Sequence, residues 1–169
     1  MNKIITFLST LIIVFASSLL MTGCDNEDDI DELFIGKTWK ITGATFNGVS
    51  INGDDIKELY AIPNTYKISF SSITFNGTLV SGSSFRGTWN ADGKSRNLTL
   101  QMQQQSGIEI NRLSQQIFEV LNNSTRYGGD SNIIIIYKDN TNFIRLSSES
   151  YDKVYNYTLR GIILCKTKK

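Results

Sequence analysis

Along most of the chain after Gly36, apolar side chains return at every second residue. "KTWKITGATF" (37–46) sets Trp39, Ile41 and Gly43 against Lys40 and Thr42. "SSFRGTW" sets Phe85, Gly87 and Trp89 against Arg86 and Thr88, and "NLTLQMQ" alternates Leu98, Leu100 and Met102. A period of two places alternate side chains on opposite faces of a sheet, so these stretches predict antiparallel strands with one wet face. Proline would remove a ladder donor, and Pro63 is the only one in the chain.

Local breaks in the alternation predict where strands turn. Tyr66, Ile68 and Phe70 share one phase and Ile73 and Phe75 the other, so a bulge or turn falls at Ser71-Ser72. Asp92-Gly93 is a hairpin signal. The isoleucine run at 133–136 predicts a strand buried on both faces or a central one, and "KDNTN" a turn into "FIRL". Residues 153–166 alternate as one long strand, or as two with a kink at Gly161. One segment has another period. In "INRLSQQIFEVLNN", Ile110, Leu113, Ile117, Phe118 and Leu121 form one face of an amphipathic helix, which "NNSTRYGGD" ends. A shorter helical turn is expected at "GDDIKELYA", with Asp54 as its cap. The expected class is mostly β: an antiparallel, barrel-like sheet with one packing helix.

The N-terminus has a different logic. Lys3 precedes an apolar run from Ile4 to Met21, with small residues at Thr22 and Gly23, the layout of a secretory signal peptide. A retained transmembrane span is the alternative. The minimal positive flank, Ser9, Thr10, Ser17 and Ser18 within the run, and acid on its far side weigh against it. Leu20-Met21-Thr22-Gly23-Cys24 resembles the bacterial lipobox. That resemblance implies a diacylglycerol thioether on Cys24, cleavage before it, and lipoprotein processing and sorting machinery as partners. A lipid of two or more chains gives stable anchoring without a spanning helix. The expected location is the cell envelope, as an outer-membrane lipoprotein.

Six acids follow Cys24: Asp25, Glu27, Asp28, Asp29, Asp31 and Glu32. From Leu33 onward, ten acids face sixteen Lys and Arg, a balance of +6 that the near-neutral total conceals. The acidic run reads as a solvated tether over residues 24–34. The alternative is a sorting signal at Asp25, Glu27, Asp28 and Asp29: "CDNEDD" is similar to the acidic stretch of surface-exported lipoproteins of Bacteroidota. Residues 1–23 are then signal peptide, 24–34 tether, and 35–169 one β domain.

Catalytic chemistry has little to stand on. The chain contains no histidine, which removes the commonest general base and every Ser-His or Cys-His pair. With Cys24 lipidated, Cys165 is a lone thiol in an apolar run and reads as core. Asp54-Asp55 lies where helix capping accounts for it, and "DNTN" at 139–142 lacks the glycine and terminal glutamate of a calcium loop. Basic residues are scattered and form no nucleic-acid stripe. Trp39, Tyr60, Tyr66, Trp89, Tyr151, Tyr155 and Tyr157 read as core or cross-strand pairs, with a sugar or lipid pocket as the alternative. No enzyme, cofactor or metal is expected. A carboxylate-only hydrolase is the remaining enzymatic alternative.

The segments "GKTWKITG" (36–43), 73–100 and 117–146 resemble the META domain of heat-shock-type envelope lipoproteins. The resemblance covers about residues 36–146. "SGSSFRG" and "QQQSGIEINRL" lack the Cys-bearing motifs usual there. A lipocalin-like barrel, which also opens on Gly-x-Trp, is the neighbouring resemblance. The first implies a non-enzymatic binding or envelope-maintenance module, and the second a carrier or surface binder of a small apolar ligand or glycan.

Overall fold

A computed structural model describes residues 27–150. The segments expected as signal peptide and C-terminal strand lie outside them, as does Cys165.

Nine strands form one antiparallel sheet. They are β1 (Thr38–Phe46), β2 (Val49–Ser50), β3 (Lys67–Phe70), β4 (Thr74–Thr78), β5 (Ser84–Ala91), β6 (Leu98–Ser106), β7 (Arg126–Gly129), β8 (Ile133–Tyr137) and β9 (Phe143–Ser148). The order is β6-β5-β4-β3-β1-β9-β8-β7, with β2 paired to β1. The two edges meet at one end. Asn97 bridges Arg126, Leu98 N–H donates to Thr125 C=O at 3.1 Å, and Tyr127 N–H donates to Arg96 C=O at 2.9 Å. The sheet is thus a barrel closed at one end only, built from the antiparallel strands that the alternation predicted.

Among the described residues three helices complete it: α1 (Ile30–Phe34), α2 (Gly53–Ala61) and α3 (Arg112–Asn122), the last preceded by a 3-10 turn at Ile108–Ile110. Helix α3 packs on β6, β8 and β9 through Leu113, Ile117, Val120 and Leu121, so it fills the barrel along its open side. Its N-cap is Asn111, whose Oδ1 accepts from Ser114 N–H at 2.7 Å. Ile110 was expected on this apolar face. It belongs instead to the preceding turn and is 59 % exposed.

The interior is one cluster of side chains. Phe34 lies at its centre near the closed end, with ring centroids 5.1 Å from Phe70, 5.2 Å from Trp89 and 5.2 Å from Tyr127. Ile134, Ile136, Ile144 and Leu146 continue it, so the isoleucine strand buries alternate residues deeply and its other isoleucines only partly. Phe75 packs over Gly87, where a Cβ would meet the ring at 2.9 Å and the Gln101 carbonyl at 2.0 Å.

Several boundaries differ from the sequence expectation. In β1 the pairing with β9 shifts between Ile41 and Gly43, so the buried phase passes from Trp39 and Ile41 to Ala44 instead of Gly43. Asp54 does not cap α2. Asn52 holds the cap position, and Asp54 pairs with Lys57. "RYGG" does not merely follow the end of α3, since it forms β7 with Tyr127 buried. The Ser71-Ser72 break is a turn, closed by Ser71 N–H to Thr74 C=O at 2.8 Å, and it leaves Ile73 exposed.

The largest difference is at residues 28–34, read from sequence as solvated tether. They are docked. Asp29 caps α1 through Oδ1 to Glu32 N–H at 3.0 Å, and Leu33 and Phe34 are buried. A short acidic run looks solvated because its charges dominate any average. The aromatic at its end decides the outcome, since burying Phe34 returns about 2 to 3 kcal/mol.

Candidate functional site

The docked segment is held by a latch at the closed end. Arg96 grips the Asp28 carboxylate with two nitrogens, Nε and Nη2, each at 3.0 Å. Tyr127 Oη–H donates to the same carboxylate at 2.9 Å. The backbone of Asp28 also lies on the β5–β6 hairpin, with N–H to Gly93 C=O at 3.2 Å. A Cβ at Gly93 would stand 2.2 Å from the Asp28 carbonyl oxygen, so glycine is required there by this close approach. The Asp92-Gly93 hairpin signal therefore held, through a longer loop with Arg96 at positive φ, and the glycine serves a distant segment as well. Lys37 adds a tie, donating to the carbonyls of Glu32 at 2.7 Å and Ser131 at 3.2 Å.

The open end is built differently. Helix α2, the start of β3 and the 3-10 turn enclose a cleft of about 290 Å³. Its lining comes from Glu58, Ala61 and Ile62 of α2 and its C-terminal end, from Ile110 and Asn111 of the 3-10 turn and its end, and from Thr65, Tyr66, Val80 and Ser81. Glu58 Oε1 is the polar centre: it accepts from Asn111 Nδ2 at 2.6 Å and from Tyr66 Oη–H. Burial first, then the hydrogen bond to Glu58, push the Tyr66 phenol far above its usual range, so it stays a donor. Tyr66 has φ of +52°, a left-handed backbone unusual for an aromatic residue. That conformation precedes β3 directly, and Tyr66 N–H and C=O are still paired, to Leu79 C=O and Ile41 N–H at 2.9 and 2.8 Å. Asp55 pairs with Arg112 at 2.9 Å and so ties α2 to α3 beside the cleft. The acid pair Asp54-Asp55 is thereby split between two cations.

A second cleft of about 210 Å³ adjoins through Ile62, lined also by Lys40, Tyr60, Pro63, Asn64, Lys67 and Glu149. There Lys40 Nζ donates to Thr65 C=O at 2.6 Å and lies over the Tyr60 and Tyr66 rings, and Lys67 pairs with Glu149.

The sequence-derived candidates are dispersed. Cys24 and Asp25 lie outside the described residues, as do Tyr151, Tyr155 and Tyr157. Glu27 is exposed, Asp28 is the latch carboxylate and Asp29 is the α1 cap. Trp39, Trp89 and Tyr66 are core, Tyr66 also lining the first cleft, whereas the exposed Tyr60 lines the second. The Asp139 carboxylate is spent on its own hairpin, accepting from Thr141 and Asn142 N–H at 2.7 and 2.8 Å. Among the described residues no cluster of acids and cysteines is arranged to hold a metal ion. Glu58, Ile62, Ile110 and Asn111 were not anticipated as a site. Only their separate local signals, a helix cap and an apolar periodicity, are visible along the chain.

The comparisons fit this architecture. A DUF4847 family protein from Bacteroides vulgatus ATCC 8482, known from its crystal structure, superposes with a TM-score of 0.57 at 23 % identity, over 70 % of this chain and 96 % of that one. No curated protein matches the sequence. A family model described as a domain of unknown function, DUF4847, matches residues 25–147, which include the latch, the barrel and the cleft. That family differs from the META domain to which the sequence pattern was likened, and the matched span begins within the acidic run, in agreement with its docking. The chain belongs to the DUF4847 family.

Proposed function

We propose that this protein is a lipid-anchored outer-membrane lipoprotein whose β domain binds a ligand and performs no catalysis. The lipobox-like stretch ending at Cys24 supports the anchoring, and the position of the latch sets the orientation it would impose. Asp28 is already part of the fold, four residues after the lipobox-like Cys24. Four residues reach at most about 14 Å, so the diacylglycerol would hold the closed end against the membrane. The cleft lies beyond the far end of β5 and β6, about 25 Å away along the strands. It would face outward.

A binding role at the cleft rests on its shape and chemistry. It is concave and mostly apolar, with a few convergent polar groups, as ligand sites commonly are. It holds one carboxylate, Glu58, whereas hydrolysis by carboxylates alone needs two. A lipocalin-like carrier would hold its ligand inside the barrel, but that space is occupied by Phe34, Trp39, Leu113, Ile117 and their neighbours. Of the proposed sorting signal, Asp28 and Asp29 serve the latch and the α1 cap, so Asp25 and Glu27 are the acids that test it without touching either.

Replacing Cys24 by Ser tests the anchor: the protein is expected to leave the membrane fraction, and unchanged partition would refute it. The double variant Asp25→Asn, Glu27→Gln spares the latch. Loss of surface protease accessibility with retained membrane partition is the expected sign of sorting, and unchanged accessibility would remove it.

A further inference from the structure

The outward cleft also carries information about what enters it. Glu58 Oε1 is engaged by two donors, while Oε2 has no partner among the described residues, and no Lys or Arg there pairs with Glu58. The neighbouring cations are committed elsewhere: Lys57, next to Glu58 in sequence, pairs with Asp54, Arg112, next to Asn111, pairs with Asp55, and Lys40, over the Tyr66 ring, donates to Thr65 C=O. Beside this anion stand Ile62, 49 % exposed, and Ile110, 59 % exposed, with Ala61 and Val80 next to them. Exposed isoleucines around a half-buried, unneutralised carboxylate complement a ligand with one apolar part and one positive charge. A volume of about 290 Å³ equals roughly ten waters, enough for a small amphiphile but not for a two-chain lipid.

We propose that this cleft binds a small protonated amine on an apolar body, the ammonium on Glu58 Oε2 and the apolar part between Ile62 and Ile110. This deepens the binding role proposed above. Tyr66 and Asn111 act as positioning residues: they hold Oε1 and so turn the second oxygen toward the ligand. An arylalkyl or alkyl primary amine satisfies the site, and a carboxylate of the same shape is repelled.

The test uses the full chain in nanodiscs, with empty nanodiscs as blank, titrated calorimetrically with phenethylammonium, phenethyl alcohol and phenylacetate. The ammonium should bind about ten- to a hundredfold more tightly than the alcohol, the range of a charge-assisted hydrogen bond, and phenylacetate should not bind. Glu58→Gln keeps an acceptor for Tyr66 and Asn111 and should erase the preference for ammonium over alcohol. Ile110→Ser should weaken both ligands together. Equal affinity for ammonium and alcohol would overturn the proposal. So would ammonium binding unaffected by Glu58→Gln, or binding that emerges only after residues 151–169 are removed, which would assign the cleft to the chain's own C-terminal segment. Anchoring is read separately: Cys24→Ser should release the protein from membrane and leave ammonium affinity unchanged.

Discussion

Each end of the barrel carries a tyrosine that donates to a carboxylate, and the two pairs are finished differently. At the closed end Tyr127 meets Asp28, and Arg96 neutralises the charge with two nitrogens. At the open end Tyr66 meets Glu58, and the second donor is the uncharged Asn111. The surroundings follow suit: Phe34, Phe70 and Trp89 are sealed at the closed end, while Ile62 and Ile110 stand in solvent at the open end. One pair is complete in itself and fastens a segment. The other retains charge and apolar surface that the fold does not use. The same local device therefore serves stability where its charge is balanced, and on the binding role proposed above it serves recognition where it is not.

The comparison can be broken most sharply at Phe34. Phe34→Ala removes the hub of the aromatic cluster and should cost about 3 to 5 kcal/mol in denaturant unfolding. A loss under about 1 kcal/mol would mean that the N-terminal segment is not integral. Gly93→Ala sets a Cβ against the Asp28 carbonyl. It should cost about 1 to 3 kcal/mol and remove hydrogen-exchange protection from residues 28–34 while leaving β8 and β9 protected. Tyr127→Phe keeps the Arg96 pair and should cost about 1 kcal/mol.

The two tyrosines also predict a pH dependence. Burial first, and then the hydrogen bond to its carboxylate, raises each phenol above the ordinary value of about 10. A group whose folded value is raised stabilises fully below its unfolded value and loses that contribution as pH rises beyond it. Stability should therefore fall above about pH 10, with Tyr66 and Tyr127 silent in the phenolate absorbance until unfolding. Replacing both by Phe should flatten the dependence. The smallest effect is at Asp139, held at about 2 by its hydrogen bonds to Thr141 and Asn142. Here the sign is opposite: the contribution is present above its unfolded value of about 3.9 and fades as pH falls toward about 2. It is readable as loss of order in the 139–142 turn amides, since the group is fully exposed.

Sequence carried the strand alternation and the α3 face well, because period and burial are the same physical fact seen twice. Trp39, Ile68, Phe85 and Leu98 on strands, and Ile117 on the helix, need only their near neighbours to declare a side. What it did not carry depends on distant pairs. The β1 shift after Ile41 arises from pairing with β9. Phe34 looks like the end of a charged run until Phe70, Trp89 and Tyr127 are placed around it. The cleft joins Glu58 to Asn111 across more than fifty residues, and neither is distinctive along the chain.

On the anchoring proposed above, a lipid on Cys24 would seat the closed end on the membrane and leave the cleft outward. A fluorophore in place of Lys94, on the β5–β6 hairpin, or of Ser81, at the cleft, can be read against a quencher fixed to the lipid headgroups. Strong quenching at 94 and little at 81, both abolished by Cys24→Ser, is the expected result. Equal quenching, or stronger quenching at 81, would contradict it.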